Sequence, residues 1–127
     1  MSKTTNREEE AIRLCILHLD TIEADKRYSV VGNPMRGKCY LASIALLQFL
    51  GGKGNGYSLF KGMDDEGITH YWVASELSAI LDPTASQYID FKKQPPYENG
   101  RKVGYRGNLK RHRPLLDKMN QSRKLTD

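Results

Sequence analysis

The chain has 127 residues, of which 39% are hydrophobic, 9% aromatic and 28% charged, which fits one globular domain. This composition excludes disordered and collagen-like proteins. A membrane-spanning helix is excluded because the longest apolar run, residues 41–50, is far shorter than the roughly 20 residues that such a helix needs. The first residues are polar and acidic, without the apolar core of a secretory signal. We therefore expect one domain over residues 1–127, a cytoplasmic location and two free cysteines, Cys15 and Cys39.

The positive charge is concentrated near the end of the chain. Residues 101–124 hold nine Lys and Arg against one Asp, a net charge of +8, so the rest of this +5 chain carries −3. A slightly acidic body with a basic end is typical of a domain that contacts a polyanion or an acidic protein surface. We name about residues 101–127 the basic C-terminal segment, and we treat it as a candidate contact for nucleic acid or an acidic partner.

The first half of the chain predicts two helices of different character. Apolar residues recur with helical periodicity over residues 7–25, which predicts an amphipathic helix with Asn6 as its N-cap. Residues 31–38 predict a loop, since glycine and proline interrupt both helix and strand patterns. The apolar stretch that starts at Cys39 ends at two glycines, Gly51 and Gly52, which predicts a central buried helix.

The second half predicts a small sheet and a last helix. Three segments rich in aromatic and branched residues predict strands: 57–61, 69–75 and 78–82. The third is ambiguous, because residues 74–81 also have helical propensity. Residues 92–108 predict a loop or a short edge strand, and a basic helix is expected from Arg113, with Pro114 in its first turn. The predicted fold class is α+β.

Cys39 is the first candidate site residue, because it follows a glycine-containing loop and begins the predicted central helix. Unpaired backbone N–H groups and the helix dipole favour a thiolate at that position, which prepares a nucleophile. The ordinary alternative is a small core residue, as buried cysteines commonly are. That alternative suits Cys15, which lies on the apolar face of the first predicted helix.

His70 and Asp82 are the next candidates, on consecutive predicted strands. A histidine beside a thiolate can hold the proton and deliver it to a leaving amine, provided that a third group orients the ring. If residues 70–74 pair with residues 78–82 about position 76, His70 faces Asp82 directly. Each residue also has an ordinary interpretation, His70 as a core or surface histidine and Asp82 as the opening of an Asp-Pro turn.

Three short strings in this order resemble the papain-like and transglutaminase-like cysteine enzymes: G-K-C-Y-L-A at 37–42, H-Y-W-V at 70–73 and L-D-P-T-A at 81–85. The resemblance implies a papain-like α+β domain in which a central Cys-bearing helix packs on a small antiparallel sheet. It implies acyl transfer at an amide of a protein or peptide by a Cys39–His70–Asp82 triad, as in a cysteine peptidase, amidase, deamidase or transglutaminase. The sequence also predicts no metal, no cofactor and no membrane partner.

The same resemblance suggests an oxyanion hole. Papain-like enzymes carry a side-chain amide a few residues before the cysteine, and Asn33 stands six residues before Cys39, where the family usually has Gln. Asn33 and the Cys39 backbone N–H would then bind the oxyanion, although an Asn-Pro loop is also ordinary turn chemistry. Trp72 would either shelter the Cys–His pair or pack in the core.

Other function classes stay open. A zinc site built from Cys15, His18, Cys39 and His70 lacks the paired ligand spacing of structural zinc sites. The basic C-terminal segment, with Tyr97 and Tyr105 as stacking residues, would suit a non-catalytic nucleic-acid or acidic-protein binding module. His112 is expected on the charged surface of that segment, and a third possibility is a binding scaffold whose triad is idle.

Overall fold

The computed structural model describes residues 4–23, 37–105 and 110–126, which form an α+β fold. Within these ranges the helices are α1 (Asn6–Leu17), α2 (Cys39–Phe49), α3 (Ser86–Ile89) and α4 (Arg113–Thr126). The strands are β1 (Tyr57–Met63), β2 (Thr69–Ser75), β3 (Ile80–Leu81) and β4 (Arg101–Val103). Short 3₁₀ turns cover Leu19–Thr21, Gly52–Asn55 and Tyr97–Asn99. The predicted α+β class is confirmed.

The N-terminal helix is shorter than predicted and has a different cap. Thr5 is the N-cap: its hydroxyl accepts from the Glu8 N–H at 3.1 Å, and the Glu8 carboxylate accepts from the Thr5 N–H at 2.9 Å. This reciprocal capping box satisfies two backbone groups, whereas Asn6 is already helical. After Leu17 the chain tightens into a 3₁₀ turn, so the predicted helix over residues 7–25 is wrong at its far end.

The central helix α2 confirms the prediction of a buried helix that begins at Cys39. Its residues face the core on nearly every side, and Ile44, Ala45 and Leu46 are completely buried. The helix ends before Gly51, whose φ of 97° is a left-handed conformation that glycine adopts without strain. This burial fixes the position of α2, and therefore of Cys39, relative to the sheet.

The four strands form one antiparallel sheet in the order β3-β2-β1-β4. The edge position of β4 confirms the short edge strand expected within residues 92–108. The strand over 69–75 is confirmed, the one predicted over 57–61 extends to Met63, and the one predicted over 78–82 is reduced to Ile80–Leu81. The first residues of that third segment form a turn instead of a strand, and within it Ser78 has a φ of 65°.

The register between β2 and β3 differs from the predicted one. Val73 pairs with Leu81 and Ala74 with Ile80, so the turn is centred on residue 77 rather than 76. In this register Asp82 would continue the ladder opposite Trp72, not opposite His70. The predicted direct pairing of His70 with Asp82 is therefore wrong, and any contact between them is diagonal.

Helix α4 closes the core on the other side of α2. It confirms the helix predicted from Arg113, and it buries Leu115 and Met119 against α1 and α2. Its outward side chains, among them Arg113 and Lys118, are exposed. In the part of the chain that the structure describes, no helix combines the length and apolar character needed to cross a membrane.

Candidate active site

Cys39 is the first residue of α2, where the unpaired N–H groups of a helix start lie. Lys38, which precedes it, forms no side-chain cap on these groups. Cys39 is buried, with 8% of the residue's surface exposed. This is the position that the sequence predicted for the thiol, at the start of the central helix.

His70 and Asp82 are in contact, as predicted, although by a different geometry. The His70 Nε2 lies 2.6 Å from the Asp82 Oδ2, and both side chains are almost completely buried. Asp82 reaches diagonally across from the end of β3, since its register partner is the position of Trp72. The contact therefore forms because the Asp82 side chain extends diagonally towards His70, and not because the two residues are paired across the strands.

The Asp82 carboxylate is held from both oxygens. Its Oδ1 accepts from the Thr84 N–H at 3.1 Å and from the Thr84 hydroxyl at 3.3 Å. Its Oδ2, which contacts His70, also accepts from the Tyr97 hydroxyl at 2.7 Å. Several donors to one carboxylate fix its direction. The Asp-Pro-Thr turn, which was considered as a purely structural explanation for Asp82, therefore also orients its carboxylate.

Aromatic rings enclose the His70 imidazole. Trp72 is 2% exposed and stacks on the ring with centroids 5.8 Å apart, while Tyr88 meets it edge-on at 4.8 Å. Tyr97 in turn packs against Trp72 with ring centroids 5.1 Å apart. Trp72 is therefore packed in the interior and also covers one face of the histidine, so its surroundings fit both of the roles considered for it.

The second ring nitrogen of His70 contacts Gln87, a residue that the sequence reasoning missed. The Gln87 Nε2 lies 2.8 Å from the His70 Nδ1 and 3.2 Å from the Thr84 hydroxyl oxygen, and Gln87 is 3% exposed. Gln87 lies three positions after Thr84, at the spacing of one helical turn. This spacing from Thr84 is the feature of the sequence that could have placed Gln87 near the site.

The electrostatics of the site favour a charged histidine. Burial alone lowers the pKa of the His70 imidazole, but its hydrogen bonds to Asp82 and Cys39, and its attraction to these two groups, raise it to about 9. Burial and the negative Asp82 also raise the pKa of the Tyr97 hydroxyl far above its usual range. Tyr97 therefore stays a hydrogen-bond donor to Asp82, and Cys39, His70 and Asp82 form one coupled cluster.

Cys15 lies in a different environment. Its thiol is completely buried and contacts the Ala42 carbonyl oxygen at 3.7 Å, and burial, with the negative Asp82, raises its pKa far above the usual range. His18 contacts the Ser122 hydroxyl at 2.9 Å. Among the described residues no group of three or more His, Cys, Asp and Glu side chains is arranged to hold a metal ion.

The remaining candidates differ in outcome. Asn33 lies outside the described residues. His112 is 1% exposed and its Nε2 contacts the Gln48 side-chain oxygen at 2.8 Å, so its predicted place on the charged surface is wrong. Tyr97 donates to Asp82 and packs on Trp72, and Tyr105 is partly buried against the core.

Comparisons with known proteins add no relative. No protein-family model matches the chain, and neither the curated proteins nor the solved structures contain a detectable match. The interpretation of the site therefore rests on its geometry and chemistry.

Proposed function

We propose that this protein is a thiol-dependent acyl-transfer enzyme of papain-like or transglutaminase-like type, acting on an amide of a protein or peptide. The observation that carries the proposal is the contact of 2.6 Å between the His70 Nε2 and a fixed Asp82, beside a cysteine that begins the central helix. A nucleophile, a base and a group that orients the base are the parts this chemistry needs.

The proposed reaction has two halves. The Cys39 Sγ forms a bond to the amide carbonyl carbon, and the thiol proton passes to His70. The tetrahedral intermediate then breaks its C–N bond, His70 returns the proton to the leaving nitrogen, and an amine departs from a thioester. Water or a second amine attacks the thioester with His70 as base, which regenerates the thiol.

The supporting residues have defined tasks in this scheme. Asp82 keeps a proton on the His70 Nε2 and stabilises the imidazolium, which leaves the Nδ1, the nitrogen that Gln87 contacts at 2.8 Å, to exchange a proton with Cys39. The Cys39 backbone N–H, together with Asn33, would bind the oxyanion of the tetrahedral intermediate, a contribution typically worth about 100-fold to 1000-fold in rate. Hydrolysis, deamidation and transglutamination share these steps and differ only in the leaving group and the acceptor.

The first test is the acylation of Cys39 by a small activated ester, p-nitrophenyl acetate, in a Cys15→Ser background. We expect a burst of nitrophenolate and an acetyl group on Cys39 by mass spectrometry, both lost in Cys39→Ala and slowed about 100-fold in His70→Ala. His112→Gln, which changes a buried histidine outside the site, is the matched control. Equal acylation of Cys39 in the His70→Ala and parent proteins would refute the proposal.

A second measurement separates the reaction types. A primary amine added with the ester should accelerate the release of the acyl group, and appear in the product, only if the site accepts amines. If water is the acceptor, the amine has no effect on the rate. Either result, with a burst present, assigns the second half of the reaction.

We propose a second, non-catalytic function for α4 and the turn before it, on a separate observation. The basic residues Arg111, Arg113 and Lys118 are all exposed, while Leu115 and Met119 turn inward, so positive charge is presented to solvent. Such a surface fits a polyanion. Binding of a labelled oligonucleotide should weaken steeply with salt and should be lost when the three residues are changed to Ala. Salt-independent binding would contradict this role.

A further inference from the structure

Two positive side chains face each other across neighbouring strands of the sheet. Lys61 of β1 is the register partner of Arg101 of β4, so the two residues project from the same face with their β-carbons about 5 Å apart. Like charges in directly opposite positions destabilise a sheet, and an anion bound between them would offset the repulsion. Of the ion pairs formed by the described residues, none includes Lys61 or Arg101. We name these two residues the basic pair.

Protection of the sheet edge does not explain the basic pair. Lysine and arginine on an edge strand discourage that edge from pairing with another chain, and Arg101 and Lys102 of β4 fit this role. Lys61, however, lies on β1, an inner strand between β2 and β4, and it is half-buried. The position of Lys61 therefore needs a different explanation.

The basic pair lines a groove of about 410 Å³, together with Gly62, Met63, Thr69 and Asn99. Thr69 adds a hydroxyl, whereas the Asn99 side chain is occupied by the backbone of Met63, at 2.9 and 3.0 Å. Among the described residues that line the groove there is no Asp or Glu. Two cations and a hydroxyl without a carboxylate fit an oxyanion, such as the carboxylate of an acidic side chain.

The basic pair lies on the face of the sheet that packs against α2. Leu59 and its register partners, Val73 and Val103, lie in or against the hydrophobic core that α2 fills. Side chains two residues apart on a strand share a face. Lys61 follows Leu59 by two residues and Arg101 precedes Val103 by two, so the basic pair lies on this same face, towards the other end of β1.

A row of neighbouring residues connects the basic pair with the nucleophile. Lys61 is opposite Tyr71 on β2, and the Tyr71 ring meets the Tyr40 ring edge-on with centroids 4.7 Å apart. Tyr40 directly follows Cys39. Since neighbouring strands lie about 4.8 Å apart, Lys61 and Arg101 are one and two strand spacings from Tyr71. An extended peptide advances about 3.3 Å per residue, so about three or four residues would connect the groove with Cys39.

We propose that the basic pair binds the carboxylate of an acidic side chain in the peptide substrate, about three or four residues from the amide that Cys39 attacks. This inference rests on the proposed function and names the class of its substrate, an extended protein segment with Asp or Glu at that distance. Lys61 and Arg101 each donate to the carboxylate and determine specificity, and they take no part in the bond-forming steps.

The test uses iodoacetyl peptides, which alkylate Cys39 and carry either Glu or its neutral counterpart Gln at the third or fourth position of a polyglycine chain. In a Cys15→Ser background at low salt, the Glu peptide should label Cys39 about fivefold faster than the Gln peptide, since two ion pairs near the surface each contribute modestly. This ratio should fall towards one in about 1 M salt, which screens the charges, and in the double variant Lys61→Gln, Arg101→Gln.

Lys102→Gln is the matched control, because Lys102 adjoins Arg101 in the chain but pairs with Phe60 and projects from the other face. A ratio of about one in the parent protein overturns the inference. A ratio that survives in the double variant, or that is lost equally in Lys102→Gln, overturns it as well. In each of these cases His70→Ala still slows labelling by plain iodoacetamide. If His70→Ala leaves that labelling unchanged, the proposed function fails, and the inference about its substrate fails with it.

Discussion

A buried histidine lies beside a polar partner near each end of α2, yet the pKa values of the two histidines shift in opposite directions. At the first end His70, fully buried, contacts the Asp82 carboxylate, and its pKa is raised to about 9. At the last end His112, 1% exposed, contacts the Gln48 amide, and burial together with the positive Arg113 lowers its pKa. Burial favours the neutral ring at both ends.

The partner therefore decides which histidine becomes charged. A carboxylate held by Thr84 and Tyr97 offsets the desolvation of the imidazolium, whereas a neutral amide does not. The same distinction applies to the thiols, because Cys39 adjoins His70 while Cys15 contacts only a carbonyl oxygen among the partners described. A buried polar residue becomes a candidate for chemistry when its partner is charged and fixed.

The largest expected effect is on thiol reactivity at the two ends. At about pH 6.5, where an ordinary thiol is mostly protonated, iodoacetamide should label Cys39 far faster than Cys15, and His70→Ala should reduce the Cys39 rate about 100-fold. His112→Gln should leave the rate unchanged, because that histidine touches no thiol. Peptide mapping by mass spectrometry measures the labelling of both cysteines in one sample. Equal labelling would contradict the claim that His70 activates Cys39.

The next effect is on stability as a function of pH. Because the folded pKa of His70, about 9, lies above its unfolded value, its contribution is fully present below about pH 6.5 and is lost as the pH rises through 9. Asp82→Asn gives His70 an amide partner like that of His112, so this loss, up to about 3 kcal/mol, should largely disappear. Denaturant unfolding at several pH values measures it.

A parallel slope in the parent protein and in Asp82→Asn would show that His70 is not the group responsible. His112 supplies an internal reference of opposite sign. Its lowered pKa means that the folded state resists protonation, so its contribution is lost as the pH falls below about 6.5. His112→Gln should remove this loss at low pH and leave the loss at high pH in place.

How far the sequence predicts this site depends on the kind of signal. The position of Cys39 follows from local features, an apolar stretch of helical length after a glycine loop, and these predicted α2 correctly. The capping box of Thr5 and Glu8 follows a Thr-x-x-Glu pattern in the sequence, which the prediction of Asn6 as the cap missed. The ends of helices can be predicted from sequence in this way because a few neighbouring residues determine them.

The contacts of His70 could be predicted only in part. Its pairing with Asp82 was expected from a register that proved wrong, and the contact survives because a carboxylate side chain can reach diagonally. Gln87 and Tyr97 depend on how the chain after β3 folds back over the sheet, which no periodicity specifies. The predicted place of His112 was wrong because a basic neighbourhood in sequence does not reveal that this residue, just before α4, faces Gln48 in the interior.

The converse substitution sharpens the comparison from the other end. Gln48→Glu would give His112 a carboxylate partner, which should raise the pKa of that histidine by about one to two units. It should not create a reactive thiol, since α2 has no cysteine at its last turn. NMR titration of the ring protons measures the shift. An unchanged titration would mean that the carboxylate partner is not what distinguishes His70.

The smallest effect concerns the group that holds Asp82 rather than the histidine itself. Tyr97→Phe removes the hydroxyl that donates to the Asp82 Oδ2 at 2.7 Å but keeps the ring that packs on Trp72. Loss of one partly buried hydrogen bond should lower the free energy of unfolding by about 1 kcal/mol. It should also slow Cys39 acylation less than Asp82→Asn does, because the two Thr84 donors still orient the carboxylate.

Tyr105→Phe, which alters a hydroxyl away from the site, is the matched control for denaturant unfolding and for acylation. If Tyr97→Phe slowed acylation as much as Asp82→Asn, the Thr84 turn would not suffice to fix Asp82, and Tyr97 would be the residue that makes the two ends of α2 different.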